Sequence, residues 1–408
     1  MRRELPADRA RGMNEMLAAR VLAFPRIADA RTVYLYASVR GEADTWGLLE
    51  HFLSAGIRAA LPPRVQVIAV VKADAYGHGA VPVARKLEEL RAEYLAVACL
   101  AEARELREAG GLTPILLLGY TPTDCAEELL HYGLTQTVYD LESARAFSAA
   151  AQAAGRRLRI HVKADTGMSR LGWLCDEGHR TEAADAIAAV CALPGLEVEG
   201  IYTHFANADG DEAYTMGQFT RFLELLSELE GRGITFPIRH CAASAAVLKY
   251  PCTHLDMVRP GVALYGHYPD PSCEGLDGVG LRPVMALKTR VASVKAVPAG
   301  TPVSYGCTHV LERDAELAAL TVGYADGLPR LCSDQLEVLI RGQRAPIVGR
   351  VCMDMCMADA TGLGAAPGDE VELFGEHLPV EGAAALAGTI QYELLCAVSP
   401  RVPREYLN

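Results

Sequence analysis

Lys72 stands where an apolar run, "VQVIAVV", gives way to a glycine-punctuated stretch, "KADAYGHGA". An ammonium at the end of a buried strand is destabilised by desolvation, which frees the amine as a nucleophile toward an aldehyde. Alone, such a lysine can equally snorkel to solvent. Other chemistry-bearing side chains also follow apolar runs. Tyr76 and His78 trail Lys72; Lys163, Asp165 and Arg170 lie in "HVKADTGMSRLG"; His204, Asn207 and Asp209 lie in "IYTHFANAD". Ser244 ends "CAAS", and Arg259 precedes Gly261 in "MVRPGVALYG". The last third adds Tyr305 in "VSYGCTH" and Met353 in "VCMDM".

In a parallel barrel, functional groups collect at the carboxyl ends of the strands. From residue 65 to about 265, short apolar runs alternate with amphipathic helical stretches. Eight runs can be counted: "VQVIAVVKA", "YLAVACL", "PILLLG", "TQTVYD", "LRIHVKAD", "LEVEGIYTHF", "IRHCAAS" and "MVRPGVALYG". Between them, "AVPVARKLEELRA" and "QFTRFLELLSELEGRG" carry apolar residues at helical spacing. The fold expected is α/β, a (β/α)8 barrel over 65–283. From 284 to 408 the texture becomes alternating strands punctuated by glycine and proline, which predicts an all-β domain. Residues 1–64 read as a separate small αβ module.

Composition narrows the function classes. A chain of 408 residues that is 50% hydrophobic supports more than one core. Its 39 basic and 51 acidic residues leave a net charge of −12, which argues against broad affinity for nucleic acid or an anionic membrane and favours small polar or zwitterionic partners. No run approaches the ~20 apolar residues of a spanning helix, and the amino-terminal stretch lacks a secretory apolar core, so a cytoplasmic location is expected. The 12 cysteines are scattered and predict reduced thiols. Cys352 and Cys356 lie close together without the further ligands of a zinc site, so no metal is expected.

The ordered set "VVKADAYGHGA", "HVKADTGMSRLG", "IYTHFANAD", "MVRPGVALYG", "VSYGCTH", "VGYADGLPR" and "VGRVCMDM" resembles the alanine racemase family from about residue 65 onward. That resemblance implies a barrel holding pyridoxal 5′-phosphate, a carboxyl-terminal β domain, and a homodimer whose active sites combine both subunits. It implies interconversion of L- and D-alanine. Lys72 corresponds to the lysine that binds the cofactor covalently and serves as one acid/base group; Tyr305, from the partner subunit, corresponds to the other. Two bases on opposite faces of Cα are what racemisation demands. By the same resemblance Arg259 faces the pyridine nitrogen, with His204 near the ring. Tyr76, Ser244, Gly261 and Val262 hold the phosphate; Arg170 and Met353 receive the substrate carboxylate. Lys163 matches a lysine that is carbamylated in some members. Tyr324, Asp209, Arg350 and Asp354 correspond to the corridor by which substrate arrives.

Three departures from the family pattern stand out. Pro400 replaces a tyrosine that touches the phosphate and narrows the inner gate, which raises serine as an alternative substrate. Ala243 stands where asparagine is usual. Residues 1–64 resemble part of 5-formyltetrahydrofolate cyclo-ligase through "YASVRGEADT" and "GIRAALP", without the remainder that folate chemistry would need. The competing expectations are a non-catalytic pyridoxal-phosphate-binding barrel, which would lack the β domain, a related decarboxylase, disfavoured by Arg259, and an inactive chimera.

Overall fold

In a parallel sheet covered on both faces, strands tend to be apolar throughout, and the barrel strands largely follow this, although "TQTV", "LRIHVKAD", "LEVEGIY" and "IRH" carry buried or half-buried polar residues. The computed structural model describes residues 61–276 and 280–406. They divide into two compact units, one comprising 61–75, 79–276 and 280–281, the other Tyr76–His78 with 282–406. In the first, β1 (Gln66–Val70), β2 (Tyr94–Val97), β3 (Ile115–Leu117) and β4 (Thr135–Val138) are followed by β5 (Leu158–Asp165), β6 (Leu196–Tyr202), β7 (Ile238–His240) and β8 (Met257–Val258). Each falls within one of the eight apolar runs of the sequence. Adjacent strands pair in parallel, in the order β7-β6-β5-β4-β3-β2-β1-β8. The ring closes where Ala243 bridges Arg259 in parallel and the Arg259 N–H donates to the Ala242 carbonyl at 2.8 Å. An open sheet is thereby excluded.

Two α-helices of this unit start where the sequence supplies a side-chain cap. Asp140 accepts from the Ser143 N–H at 2.7 Å to start Leu141–Ala153, and Asp211 accepts from the Tyr214 N–H at 2.9 Å to start Glu212–Gly231. The latter buries Phe219, Phe222, Leu225 and Leu229, spaced at three and four residues, as one apolar stripe. Among the described residues no helix is long and apolar enough to cross a membrane.

In the second unit a six-stranded antiparallel sheet contains β9 (Leu287–Val297), β10 (Ala315–Leu320), β11 (Glu337–Ile340), β12 (Gln343–Pro346), β13 (Cys356–Asp359) and β14 (Glu370–Phe374), ordered β12-β11-β14-β9-β10-β13. The expectation of an all-β domain missed two short helices, Val380–Leu386 and Gln391–Ala397. Glycines in "EGAAALAG" read as turns, yet the intervening alanines have high helix propensity and bury Ala383 and Ala384. The expected module at 1–64, with its likeness to a cyclo-ligase, lies outside the described residues except for its last four.

Candidate active site

Lys72 follows β1 and opens a turn that the sequence suggested would be an ordinary loop. Ala73, Asp74, Ala75 and Tyr76 all adopt positive φ, between 52° and 55°, forming a turn of left-handed helix. Each L-residue in that region costs roughly 1–2 kcal/mol, so other groups must hold the turn. Glu102 accepts from the Ala73 N–H at 2.7 Å and from the Ala98 N–H at 2.6 Å. Asp74 accepts from the Ala80 N–H at 2.6 Å. Lys72, half-buried, stands directly before this left-handed turn.

Arg259 is buried at the end of β8, and its guanidinium is held on several sides. One nitrogen, Nη1, lies 2.6 Å from His240 Nδ1; Nη2 reaches the Thr203 carbonyl at 2.8 Å, the Cys241 carbonyl at 3.0 Å and His204 Nδ1 at 3.2 Å. Burial pulls the guanidinium down from its ordinary value, but a guanidinium remains protonated in proteins. Nε–H and one Nη1 hydrogen make no hydrogen bond among the described residues, leaving donors for a ligand. His204 is held neutral, well below the usual imidazole range, first by burial and then by Arg259, Lys163, Arg170 and Lys72.

Lys163 is buried at the end of β5, with its amine 4.2 Å from the centre of the Tyr202 ring. Burial drives it well below the ordinary lysine range, and the charges of Arg259 and Arg170 push the same way. A neutral amine is the form that can take up carbon dioxide. Arg170 is exposed at the end of a loop fixed by Asp165, whose Oδ1 accepts from the N–H groups of Gly167 and Met168 at 2.9 Å and Ser169 at 3.1 Å. Ser244 is buried, and its hydroxyl oxygen accepts from the N–H of Gly261 at 2.9 Å and of Ala263 at 3.3 Å. Ala243 occupies the cap of the helix Ser244–Lys249 without a side-chain hydrogen bond. The Val262 N–H makes no hydrogen bond among the described residues. A hydroxyl and backbone amides converging on one place suit an oxyanion.

Tyr76 is buried, and its phenol is pushed up to about 12 by burial and by Cys396. By its contacts it belongs to the second unit, where its ring centre lies 6.1 Å from that of Tyr392.

Tyr305 is 71% exposed and Met353 53% exposed within that second unit. Tyr305 begins a short turn behind Ser304, whose φ is 64° and whose hydroxyl donates to the Arg350 carbonyl at 2.6 Å. The Met353 loop is clamped from two sides. Tyr324 and Ala325 N–H groups donate to the carbonyls of Cys352 and Met353, both at 3.0 Å. Arg401 bridges Asp326 and Asp354, each at 2.8 Å. Gly323 is required here because a Cβ would stand 2.3 Å from both the Cys352 and the Met353 carbonyl oxygens. Pro400 precedes Arg401 directly. Tyr324 is 43% exposed, Asp209 lies on an exposed turn of the barrel unit, and Cys356 is buried, its thiol pushed up to about 12.

The structure therefore brings together Lys163, His204 and Arg259 at neighbouring strand ends, and Ser244 with Gly261 and Val262. It places Tyr305 and Met353 in the other unit. Sequence reading did not single out His161, Glu199, Tyr202 or His240, which line the barrel interior. Their signal was polar residues inside otherwise apolar runs, "RIHV", "VEGIY" and "IRHC".

Comparison with known proteins gives one answer. The profile "Alanine racemase, N-terminal domain" matches residues 54–269, and "Alanine racemase, C-terminal domain" matches 284–406. An alanine racemase of Desulforamulus reducens is 51% identical over 355 residues, covering 86% of this chain and 95% of that protein. The structure of an alanine racemase from Clostridium difficile superposes with a TM-score of 0.82 at 39% identity, covering 86% of this chain and 92% of that one. A Bacillus anthracis alanine racemase with bound L-Ala-P gives a TM-score of 0.80 at 35% identity, covering 87% and 92%. With both domain profiles matched and half of all aligned residues shared with a near full-length relative, the chain belongs to the alanine racemase family.

Proposed function

We propose that this chain racemises alanine, exchanging the proton on Cα between two faces with pyridoxal 5′-phosphate bound at Lys72. The observation that carries the reading is Arg259, a buried guanidinium at a strand end with donors left over and a neutral His204 beside it. When bound, the cofactor withdraws electrons from Cα and so acidifies its proton. The chain's residues do the rest. Lys72 holds or returns the proton on one face, and the partner subunit's Tyr305 does so on the other. Exposure of Tyr305 in the single chain supports a homodimer with shared sites. Arg259 donates to the ring nitrogen and keeps it unprotonated, which limits charge build-up on the ring and suppresses transamination. Tyr76, Ser244, Gly261 and Val262 hold the phosphate. Arg170 orients the substrate carboxylate, which also receives the Met353 N–H from the partner subunit. Lys163, neutral and buried beside two arginines, takes up carbon dioxide and gives its proton to solvent, and the resulting carbamate carboxylate orients Arg170.

We place the enzyme in the cytoplasm, supplying D-alanine for peptidoglycan, and read the part of residues 1–64 upstream of the racemase match at 54–269 as cyclo-ligase-derived on the strength of "YASVRGEADT". The test is direct: purified protein with pyridoxal 5′-phosphate is given L-alanine or L-serine, and both enantiomers are quantified by chiral chromatography. D-Alanine should accumulate to equal amounts with L-alanine. No D-product from either substrate would overturn the reading, and faster turnover of serine would transfer it to the other amino acid.

A further inference from the structure

We propose that Glu199, His161 and His240 form a one-directional relay through the barrel interior that aims the Arg259 guanidinium, making all three positioning residues for it. The consequence for catalysis rests on the reading of Arg259 as the partner of the cofactor's ring nitrogen.

Barrel interiors are ordinarily filled by branched apolar side chains. Here β5 and β7 instead present two fully buried imidazoles, His161 and His240. The Arg259 guanidinium can only donate, so His240 Nδ1, 2.6 Å from Nη1, carries no proton and His240 Nε2 carries one. His240 Nε2 lies 2.9 Å from His161 Nδ1, which must therefore accept. That leaves the proton of His161 on Nε2. This N–H has no well-aligned hydrogen bond, and it faces a Glu199 carboxylate oxygen at 3.4 Å. The same Glu199 oxygen accepts from the Tyr94 hydroxyl at 2.6 Å. A group that can only donate thus stands at one end and a carboxylate that accepts at the other, and together they dictate the tautomer of both rings between them.

Steric features keep the relay in register. The Tyr202 ring stacks on His240 with centroids 4.6 Å apart and planes 8° apart, and Arg259 lies 5.0 Å from the same ring. Residue 200 is glycine, and a Cβ there would come within 2.8 Å of the His161 ring. Burial, followed for His240 by the Arg259 charge, holds both imidazoles below their ordinary range, so the two charged ends are separated by neutral rings.

The experiment compares Glu199→Gln with the parent by 15N NMR of histidine- and arginine-labelled protein, with and without cofactor. In the parent, His161 and His240 should both be neutral with the proton on Nε2. Glu199→Gln preserves shape but removes the charge that accepts at the end of the relay, so the His161 Nε2–H signal should shift, and the His240 Nε2–H and Arg259 side-chain signals should move with it while both rings keep the Nε2-protonated form. Cofactor binding, followed by absorbance titration, should weaken about fivefold, the worth of roughly one hydrogen bond. Gly200→Ala provides a second perturbation, since it crowds His161 and should move the same His240 signal. If circular dichroism shows both variants folded and neither moves His240 or Arg259, the relay is refuted. If those signals move while the 15N shift of the bound cofactor's ring nitrogen stays put, the relay stands and the assignment of Arg259 to that nitrogen fails.

Discussion

Acidification from about pH 7 to about pH 5 should destabilise this protein by several kcal/mol, and the size of the loss follows from three side chains. His161, His204 and His240 are each held below the ordinary imidazole value of 6.5, with burial the leading cause in every case. Below about pH 6.5 the unfolded chain binds a proton at each of these positions that the folded chain refuses. Stability therefore falls as pH drops. Each such group contributes a slope approaching about 1.36 kcal/mol per pH unit. Integrated to about pH 5, a histidine that stays neutral throughout costs at most roughly 2 kcal/mol, so the two held well below their ordinary range set the size of the loss and His161, lowered less because Glu199 pulls it back up, adds a smaller share. The sum is a large fraction of the whole stability of many domains, which runs to about 5–15 kcal/mol. Exposed His179, raised by its hydrogen bond with Asp176, acts in the opposite sense but is screened by solvent. The assay is urea unfolding at closely spaced pH values, monitored by far-ultraviolet circular dichroism. Unchanged unfolding free energy between about pH 7 and about pH 5 would refute the argument, because it would mean that the folded barrel protonates its histidines as freely as the unfolded chain does. His161→Gln should remove a smaller part of the pH dependence than His240→Gln does.

Other expectations follow from the site. Gly323→Ala forces a Cβ onto two carbonyl oxygens beneath the Met353 loop, so alanine KM should rise at least tenfold while the cofactor's absorption band persists; unchanged KM would sever that loop from carboxylate binding. Lys72→Ala should lose the visible band and Tyr305→Phe should keep it, yet mixing the two inactive proteins should restore part of the activity, because one hybrid site then holds both bases. No recovery in verified hybrids would count against sharing across subunits. Intact-protein mass spectrometry under mild conditions, or a crystal structure, should find one carbon dioxide on Lys163, and Lys163→Ala should recover activity when a short carboxylic acid is supplied.

The barrel was legible because its strands are buried on both faces and therefore print as short, mostly apolar runs between helical stretches, so all eight strand positions could be read directly. Lys72, Lys163 and Arg259 were legible for a related reason: a cation at the end of such a run breaks the pattern. His161 and His240 were not. A histidine inside an apolar run most often indicates a satisfied core residue, and only the three-dimensional line from Arg259 to Glu199 gives them a joint role. The left-handed turn was equally hidden, since Ala73 and Ala75 have no residue-type signature for positive φ and the Ala73 N–H is held by the distant Glu102. The two closing helices of the second unit were obscured by Gly382 inside the first and Gly388 between them.

That left-handed turn sets a limit on how far the protein can be stabilised without changing what it does. Glycine at position 73 or 75 would relieve backbone strain at no steric cost, and selection for heat resistance alone would favour it. A glycine, however, would widen the range of directions open to the neighbouring Lys72. The strained alanines fix the backbone next to the lysine before any ligand arrives, so part of the chain's folding energy is held as local conformation, and a glycine there would loosen the segment that carries Lys72.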